Sequence, residues 1–334
     1  MSDAKKKNSA LPVVIGIVLS AGAAVFLLSR VSFADLWGAM KSADARWFVL
    51  ALALFFVVFA LRAWRWAVLL GGTPFAATWH ANVIGYFFNA TLPLRVGEIA
   101  RAYVISRNAK VSMTRALSGV VAERLLDLAT VVIMFAWFAQ RIPMREAFTR
   151  AAAAGSILVI VGVLGGAFVV IKGDAVDRML RPRLEKRFGV ERADSMLGKL
   201  LQLRQGLAAV GSPRSLAMSL GLTVLIWIVT VAVAWTCLQA FMPGSFDEAG
   251  LVVVTANLGG ALPSAPGGLG IVQGFATSAL VVPFHVPESL ALAFVLVWSF
   301  SQTILIIVLG IISIGRVGLS FSEIRDGAQT KTTP

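Results

Sequence analysis

The chain has 334 residues, 58% of them hydrophobic and only 14% charged, with a formal net charge of +13. Apolar content on this scale, in runs longer than the roughly 18 residues that mark a spanning helix, excludes a soluble globular protein. No polar stretch is long enough for a large soluble catalytic domain, so the positive charge is read as membrane topology rather than nucleic-acid binding.

The polar start carries Lys5, Lys6 and Lys7, and the apolar run 11–29 follows it. That run is long for a signal-peptide core, and Arg30-Val31-Ser32-Phe33 is a poor cleavage site, so a retained first helix is expected. Further full spans are expected near 47–69, 113–138, 156–171, 215–241 and 288–314. Two other apolar segments, 75–106 and 248–282, are interrupted at their centres. The first contains Leu92-Pro93-Leu94-Arg95-Val96-Gly97-Glu98, and the second Leu262-Pro263-Ser264-Ala265-Pro266-Gly267-Gly268-Leu269-Gly270. Superimposing the two Leu-Pro pairs also aligns Gly97 with Gly267. A broken backbone survives in a bilayer only where protein or a polar cavity satisfies it, and a pair of breaks in corresponding positions points to a transporter-like site.

Charge counting fixes an expected topology. With both broken segments read as hairpins, the inner side receives Lys5–Lys7, Arg62, Arg65, Arg101, Arg107, Lys110, Arg115, the basic stretch 172–214 and the C-terminal cations. The outer side receives only Arg30, Lys41, Arg46, Arg141, Arg145 and Arg150. Reading the first break as a single crossing would export the basic stretch, against the positive-inside rule. The expected fold is therefore an all-α integral membrane protein of about six full spans plus two re-entrant hairpins that enter from opposite faces. The expected organisation is one polytopic domain over 1–320 with a basic amphipathic cytosolic insertion at 173–214, then a disordered cytosolic tail at 321–334. Both termini are placed in the cytoplasm. Low tyrosine and high alanine, arginine and tryptophan use point to a bacterial inner membrane.

Ionisable groups inside a membrane are costly and are functional candidates by default. Arg95, Glu98 and Arg101 lie in or beside the first break, and Glu123, Arg124 and Asp127 lie in the next span at helical spacings. Glu123 is about 15 Å into that helix, near mid-membrane. Together the six sum to zero charge. One use for them is to staple the hairpin to its neighbour. The other is to bind a ligand anion, for which the planar fork of arginine suits phosphate, helped by free NH groups at the helix start after Gly97. Gly267, Gly268 and Gly270 could act similarly from the second hairpin, with Pro263 and Pro266 holding its break open. Arg62 and Arg65, interleaved with Trp64 and Trp66, read as an interfacial anchor or as the entry for a lipid head group. Cys237 is the only cysteine, His80 and His285 stand far apart, and no Walker A motif occurs, so no cofactor, metal or ATP drive is expected.

The pattern Asn89, Leu92-Pro93-x-Arg95-x-Gly97-Glu98-x-x-Arg101, then Glu123-Arg124-x-x-Asp127, then Pro263-x-x-Pro266-Gly267-Gly268-Leu269-Gly270, resembles the transmembrane region of bacterial lysylphosphatidylglycerol synthases. The resemblance covers roughly 11–320. It implies movement of a lipid between leaflets by a stand-alone flippase-like protein, without the soluble aminoacyl-transferase domain and without enzymatic activity of its own. The expected head-group site, read from the intramembrane polar residues, comprises Asn89, Arg95, Glu98, Arg101, Glu123, Arg124 and Asp127, with Arg95, Arg101 and Arg124 binding the anion and the three acids orienting them. Relatives often carry an acidic residue after the glycines, where this chain has Gln273. The expected substrate is an anionic phospholipid or polyprenyl phosphate. A different reading makes the chain an accessory subunit whose insertion docks an envelope-biosynthesis enzyme.

Overall fold

The computed structural model describes residues 32–92, 96–141, 178–187, 189–190, 193–194, 197–198, 213–261, 269–321 and 323–325. All regular elements among them are helical. In chain order these are α1 (Phe33–Lys41), α2 (Ala45–Leu69), α3 (Phe75–Thr91), α4 (Gly97–Asn108), α5 (Met113–Arg141), α6 (Pro213–Gln239), α7 (Phe246–Ala261), α8 (Ile271–Phe284) and α9 (Glu288–Val317). A further helical stretch occupies 178–187. The expected spans at 11–29 and 156–171, and most of the 173–214 insertion, lie outside the described residues.

Local chemistry sets the boundaries. Asp44 caps α2 by accepting from the Arg46 amide at 2.9 Å, as a side-chain oxygen does at a helix start. Ser245 and Glu248 form a reciprocal box at the start of α7, with bonds of 2.8 and 3.2 Å. Gly318 ends α9 in the left-handed conformation, at φ 67°, which glycine adopts without steric cost. Of the long helices, α2, α9 and 214–239 within α6 are apolar enough to cross a membrane on composition alone. Helix α5 has the length for it but carries Glu123, Arg124 and Asp127 at its centre.

Both broken segments fold as helix pairs packed along each other. In the first, Gly85 on α3 and Gly97 on α4 meet so closely that a Cβ on Gly97 would run into the Gly85 carbonyl oxygen. In the second, Gly259 on α7 lies against the ring of Phe275 on α8.

The helices from α2 onward form two sets of four: α2–α5 and α6–α9. Exchanging the sets maps each principal packing contact among them onto another: α3 with α4 onto α7 with α8, α4 with α5 onto α8 with α9, and α3 with α9 onto α7 with α5. The pair α2–α6, at the centre, maps onto itself. These two helices run antiparallel. At one end the Asp44 amide donates to Ala240 O at 2.8 Å and Trp47 packs on Trp235 at 5.9 Å, while Arg65 reaches Thr223 further along. Each hairpin follows the C-terminal end of its own central helix, so the two hairpins open toward opposite ends of the bundle. The expected inverted relation thus has a geometric counterpart.

One apolar core joins α2 and α5 to α6–α9, and a second, smaller core fills the first hairpin and the start of α5. The tail begins inside the second core. Ile324 is fully buried and Phe321 stacks on Phe88 at 4.9 Å, so the disorder expected from 321 does not extend to these residues. Ile324 is the side chain that the segment buries, while Phe321 remains partly exposed against Phe88.

Candidate functional site

The charged residues of the first half converge where α2, α4 and α5 meet. Arg65 enters from α2, Glu98 and Arg101 from the first turns of α4, and Glu123, Arg124 and Asp127 from α5. Helical spacing puts each group on one face: 98 and 101 are three apart, 123 and 127 four apart. Counted from the helix ends beside the 70–74 and 109–112 turns, Arg65 lies about 6 Å in, Arg101 about 10 Å and Glu123 about 15 Å.

The six side chains close into a ring of alternating sign. Glu98 meets Arg101 at 2.8 Å, Arg101 meets Glu123 at 2.7 Å, and Glu123 meets Arg65 at 3.5 Å. Arg65 meets Asp127 at 2.7 Å, Asp127 faces Arg124 at 4.0 Å, and Arg124 donates back to Glu98. The Arg65–Asp127 pair is bidentate, with the second bond at 3.1 Å, the arrangement that gives an arginine–carboxylate pair its strength and direction. Arg101 also donates to Asn82 Oδ1 at 2.8 Å and lies 4.8 Å above the Trp66 ring. Buried charges persist only when paired and hydrogen-bonded; Arg65, Arg101 and Glu123, each nearly inaccessible, are all ion-paired, while Arg65 Nε and Arg101 Nε make no hydrogen bond.

Accessibility rises on one side of the ring. The Arg124 side chain is 48% exposed, Glu98 24% and Asp127 10%. Arg62, a seventh charge and 16% exposed, stands 3.8 Å from Asp127 Oδ2, beyond hydrogen-bonding distance. It donates instead to the Tyr86 hydroxyl at 3.0 Å. Ring and neighbour together carry one surplus positive charge among the described residues, and it lies at this accessible rim between Arg62 and Arg124.

Three sequence expectations change here. Arg65 is not an interfacial residue but among the most buried side chains, 1% exposed; the Glu123 and Asp127 carboxylates, one turn apart on α5, draw it inward. Arg62, three residues earlier, remains at the rim. The NH of Gly97 is not open to a ligand, because Asn89 Oδ1 accepts from it at 2.9 Å. Asn89 therefore ties the hairpin tip. The second hairpin repeats the device, with Gln273 Oε1 accepting from the Gly270 NH at 2.8 Å. Arg95 and Pro93, and likewise Pro263, Pro266, Gly267 and Gly268, lie outside the described residues.

Four participants were missed: Asn82, Tyr86, Thr223 and Trp227. Asn82, Tyr86 and Asn89 recur at near-helical spacing on α3, a signal that was present in the sequence. Nothing marks Thr223 and Trp227, which come from the other half of the molecule. Thr223 accepts from Arg65 at 3.0 Å, and the Trp227 indole NH donates to Asp127 Oδ1 at 3.3 Å. His80 meets Ser313 of α9 at 3.1 Å, away from the ring. Among the described residues no group of acidic, histidine or cysteine side chains is arranged to hold a metal ion.

Fold and site define a multi-pass helical membrane protein with a charge cluster buried in one of two related halves. The chain belongs to the family described as the lysylphosphatidylglycerol synthase TM region, which it matches over residues 13–310. It is similar to two UPF0104 membrane proteins of Methanothermobacter thermautotrophicus (strain ATCC 29096 / DSM 1053 / JCM 10044 / NBRC 100330 / Delta H). One is 25% identical over 95% of this chain and 98% of the relative. The other is 25% identical over 84% of this chain and 87% of the relative. The family links the chain to lipid-related processes in a membrane.

Proposed function

We propose that the protein moves an anionic lipid between membrane leaflets, with the head group held at the Arg62–Arg124 rim while its acyl chains remain in the bilayer. The observation that carries this reading is the uncompensated charge. The six-membered ring neutralises itself, so Arg62 is free to exchange a carboxylate 3.8 Å away for a phosphate oxygen within bonding distance, and Arg124, held by Glu98 but half-exposed, can do the same on its side facing Asp127 at 4.0 Å. The exchange replaces long contacts by short charge-assisted bonds. Arg65 and Arg101 hold the ring together and do not meet the lipid. Arg95, close in sequence to Glu98, is a third candidate for the head group.

In this reading six spans and two re-entrant hairpins make up the membrane domain, with both termini in the cytoplasm. The hairpins approach from opposite leaflets, and their tips limit the distance a head group must travel. Without a coupled gradient the protein equilibrates the two leaflets rather than concentrating lipid in one.

The test is leaflet exchange in liposomes reconstituted with purified protein, using labelled anionic and zwitterionic phospholipids. Exchange selective for anionic head groups, lost in an Arg62→Gln/Arg124→Gln variant that keeps its melting temperature, is the expected result. Equal exchange by wild type and variant would remove the rim from the mechanism and leave the charges as structural glue.

A further inference from the structure

The rim arginines stay available only if Asp127 does not take them. Its carboxylate is the nearest anion to Arg62 and, after Glu98, the next anion to Arg124, and a small rotation about its side-chain bonds would bring Oδ2 from 3.8 and 4.0 Å to bonding distance of either. Three bonds oppose that rotation. Arg65 holds Oδ1 at 2.7 Å and Oδ2 at 3.1 Å, and the Trp227 indole NH holds Oδ1 at 3.3 Å. Arg65 is itself held: its Nη1 donates to Thr223 Oγ1 at 3.0 Å, and the Thr223 hydroxyl donates in turn to Ser219 O at 2.7 Å. Thr223 and Trp227 are four apart, on one face of α6, and both are almost fully buried.

Helix α6 belongs to the second half and runs antiparallel to α2. Arg65 of the first half therefore orients Asp127 together with two groups of the second half, Trp227 directly and Thr223 through its bond to Arg65. We infer that Thr223 and Trp227 are positioning residues which set the anion affinity of the Arg62–Arg124 rim, so that head-group binding and the packing of α6 against α2 and α5 are linked. This rests on the reading of the rim as a head-group site. The linkage is reciprocal: whatever shifts α6 away from Asp127 weakens anion binding, and a bound anion favours the arrangement in which Trp227 and Asp127 meet. In a molecule of two inverted halves, that gives the lipid a means of sensing how the halves are packed.

The probe is short-chain dihexanoyl phosphatidylglycerol, a soluble phosphodiester, titrated calorimetrically into the full chain in detergent beside dihexanoyl phosphatidylcholine. Trp227→Phe removes the NH and keeps an aromatic ring. Thr223→Val removes the hydroxyl at nearly constant shape, and Thr223→Ser retains it. Loss of one hydrogen bond to a charged group corresponds to a weakening of about tenfold. Trp227→Phe and Thr223→Val are expected to weaken phosphatidylglycerol binding by up to that factor, with Thr223→Ser near wild type. The effect of Trp227→Phe should shrink when Arg124→Gln is already present, because both act on one rim. Equal affinities for Thr223→Val and Thr223→Ser, or an undiminished Trp227→Phe effect in the Arg124→Gln background, would overturn the inference and leave the proposed rim intact. A wild-type protein that does not prefer phosphatidylglycerol over phosphatidylcholine would bring down both.

Discussion

Between residues 215 and 315 the acidic and basic side chains are Asp247, Glu248 and Glu288, all in the first turns of helices. Over the corresponding helices of the first half, Arg62, Arg65, Arg101, Glu123, Arg124 and Asp127 lie beyond the first turns, and Glu98 joins them from the first turn of α4. Both halves arrange a central helix, a hairpin and a final long helix in the same contact pattern. The second fills that pattern with Trp235, Phe275, Phe294 and Trp298, with Phe294 and Trp298 stacked at 6.2 Å. Its described residues show that the arrangement holds together by apolar packing without a buried ion pair. Charges are therefore not something this scaffold needs. Desolvating an ion pair often costs as much as its attraction returns, so the charges of the first half are not explained by the needs of the shared scaffold, which is in keeping with the head-group site proposed there.

The sharpest way to break the comparison is to remove a buried partner. Arg65→Met or Arg101→Met leaves carboxylates without their counter-charge and is expected to cost about 3–5 kcal/mol. Phe275→Leu in the second hairpin should cost less than about 1.5 kcal/mol. Thermal unfolding in detergent compares them, and similar losses would mean that the ring is not the mainstay of the first half.

The hairpins come next. Gly97→Ala must push α4 from the Gly85 backbone, whereas Gly259→Ala meets the movable ring of Phe275. The first should cost about 1–3 kcal/mol and the second less, read from the same melts. Smaller still are the tip bonds. Asn89→Ala and Gln273→Ala each delete one bond to a glycine NH and should each cost about 1 kcal/mol. Near-equal losses would sharpen the view of the two tips as one device used twice, and a loss confined to Asn89 would break it.

The smallest effect on folding should come from Arg124→Gln. A half-exposed ion pair is worth about 0–1 kcal/mol, so the melting temperature should hardly move, while anion-selective lipid exchange in liposomes should fall sharply. A stable variant with full exchange would place the site elsewhere.

Much of this was legible in the amino-acid sequence. The segments 47–69, 113–138, 215–241 and 288–314 and the two interrupted segments coincide with described helices to within a few residues, because long apolar runs and their breaks mark where helices form. Five of the ring's six charges, Glu98, Arg101, Glu123, Arg124 and Asp127, were visible as a set with Arg95 because they stand out against an apolar background, and helical spacing groups them on faces. Their pairing was not legible. Arg65 looked like an anchor because its Arg-x-x-Arg-Trp context is that of an interface, and only the approach of α5 turns it into the centre of the ring. Asn89 looked like a ligand contact because an amide in a membrane helix suggests one, and only the return of α4 gives it the Gly97 NH.

The sequence by itself determined that the chain is a helical membrane protein, where its helices break and which residues are too costly to bury without reason. These are local properties, fixed by composition, spacing and the solvent that each segment can tolerate. The tertiary structure decided which charges satisfy each other and which remain at the rim. It also brought Thr223 and Trp227 of the second half to Arg65 and Asp127 of the first. A pairing between side chains a hundred or more residues apart depends on how antiparallel helices dock, and no local pattern along the chain encodes that.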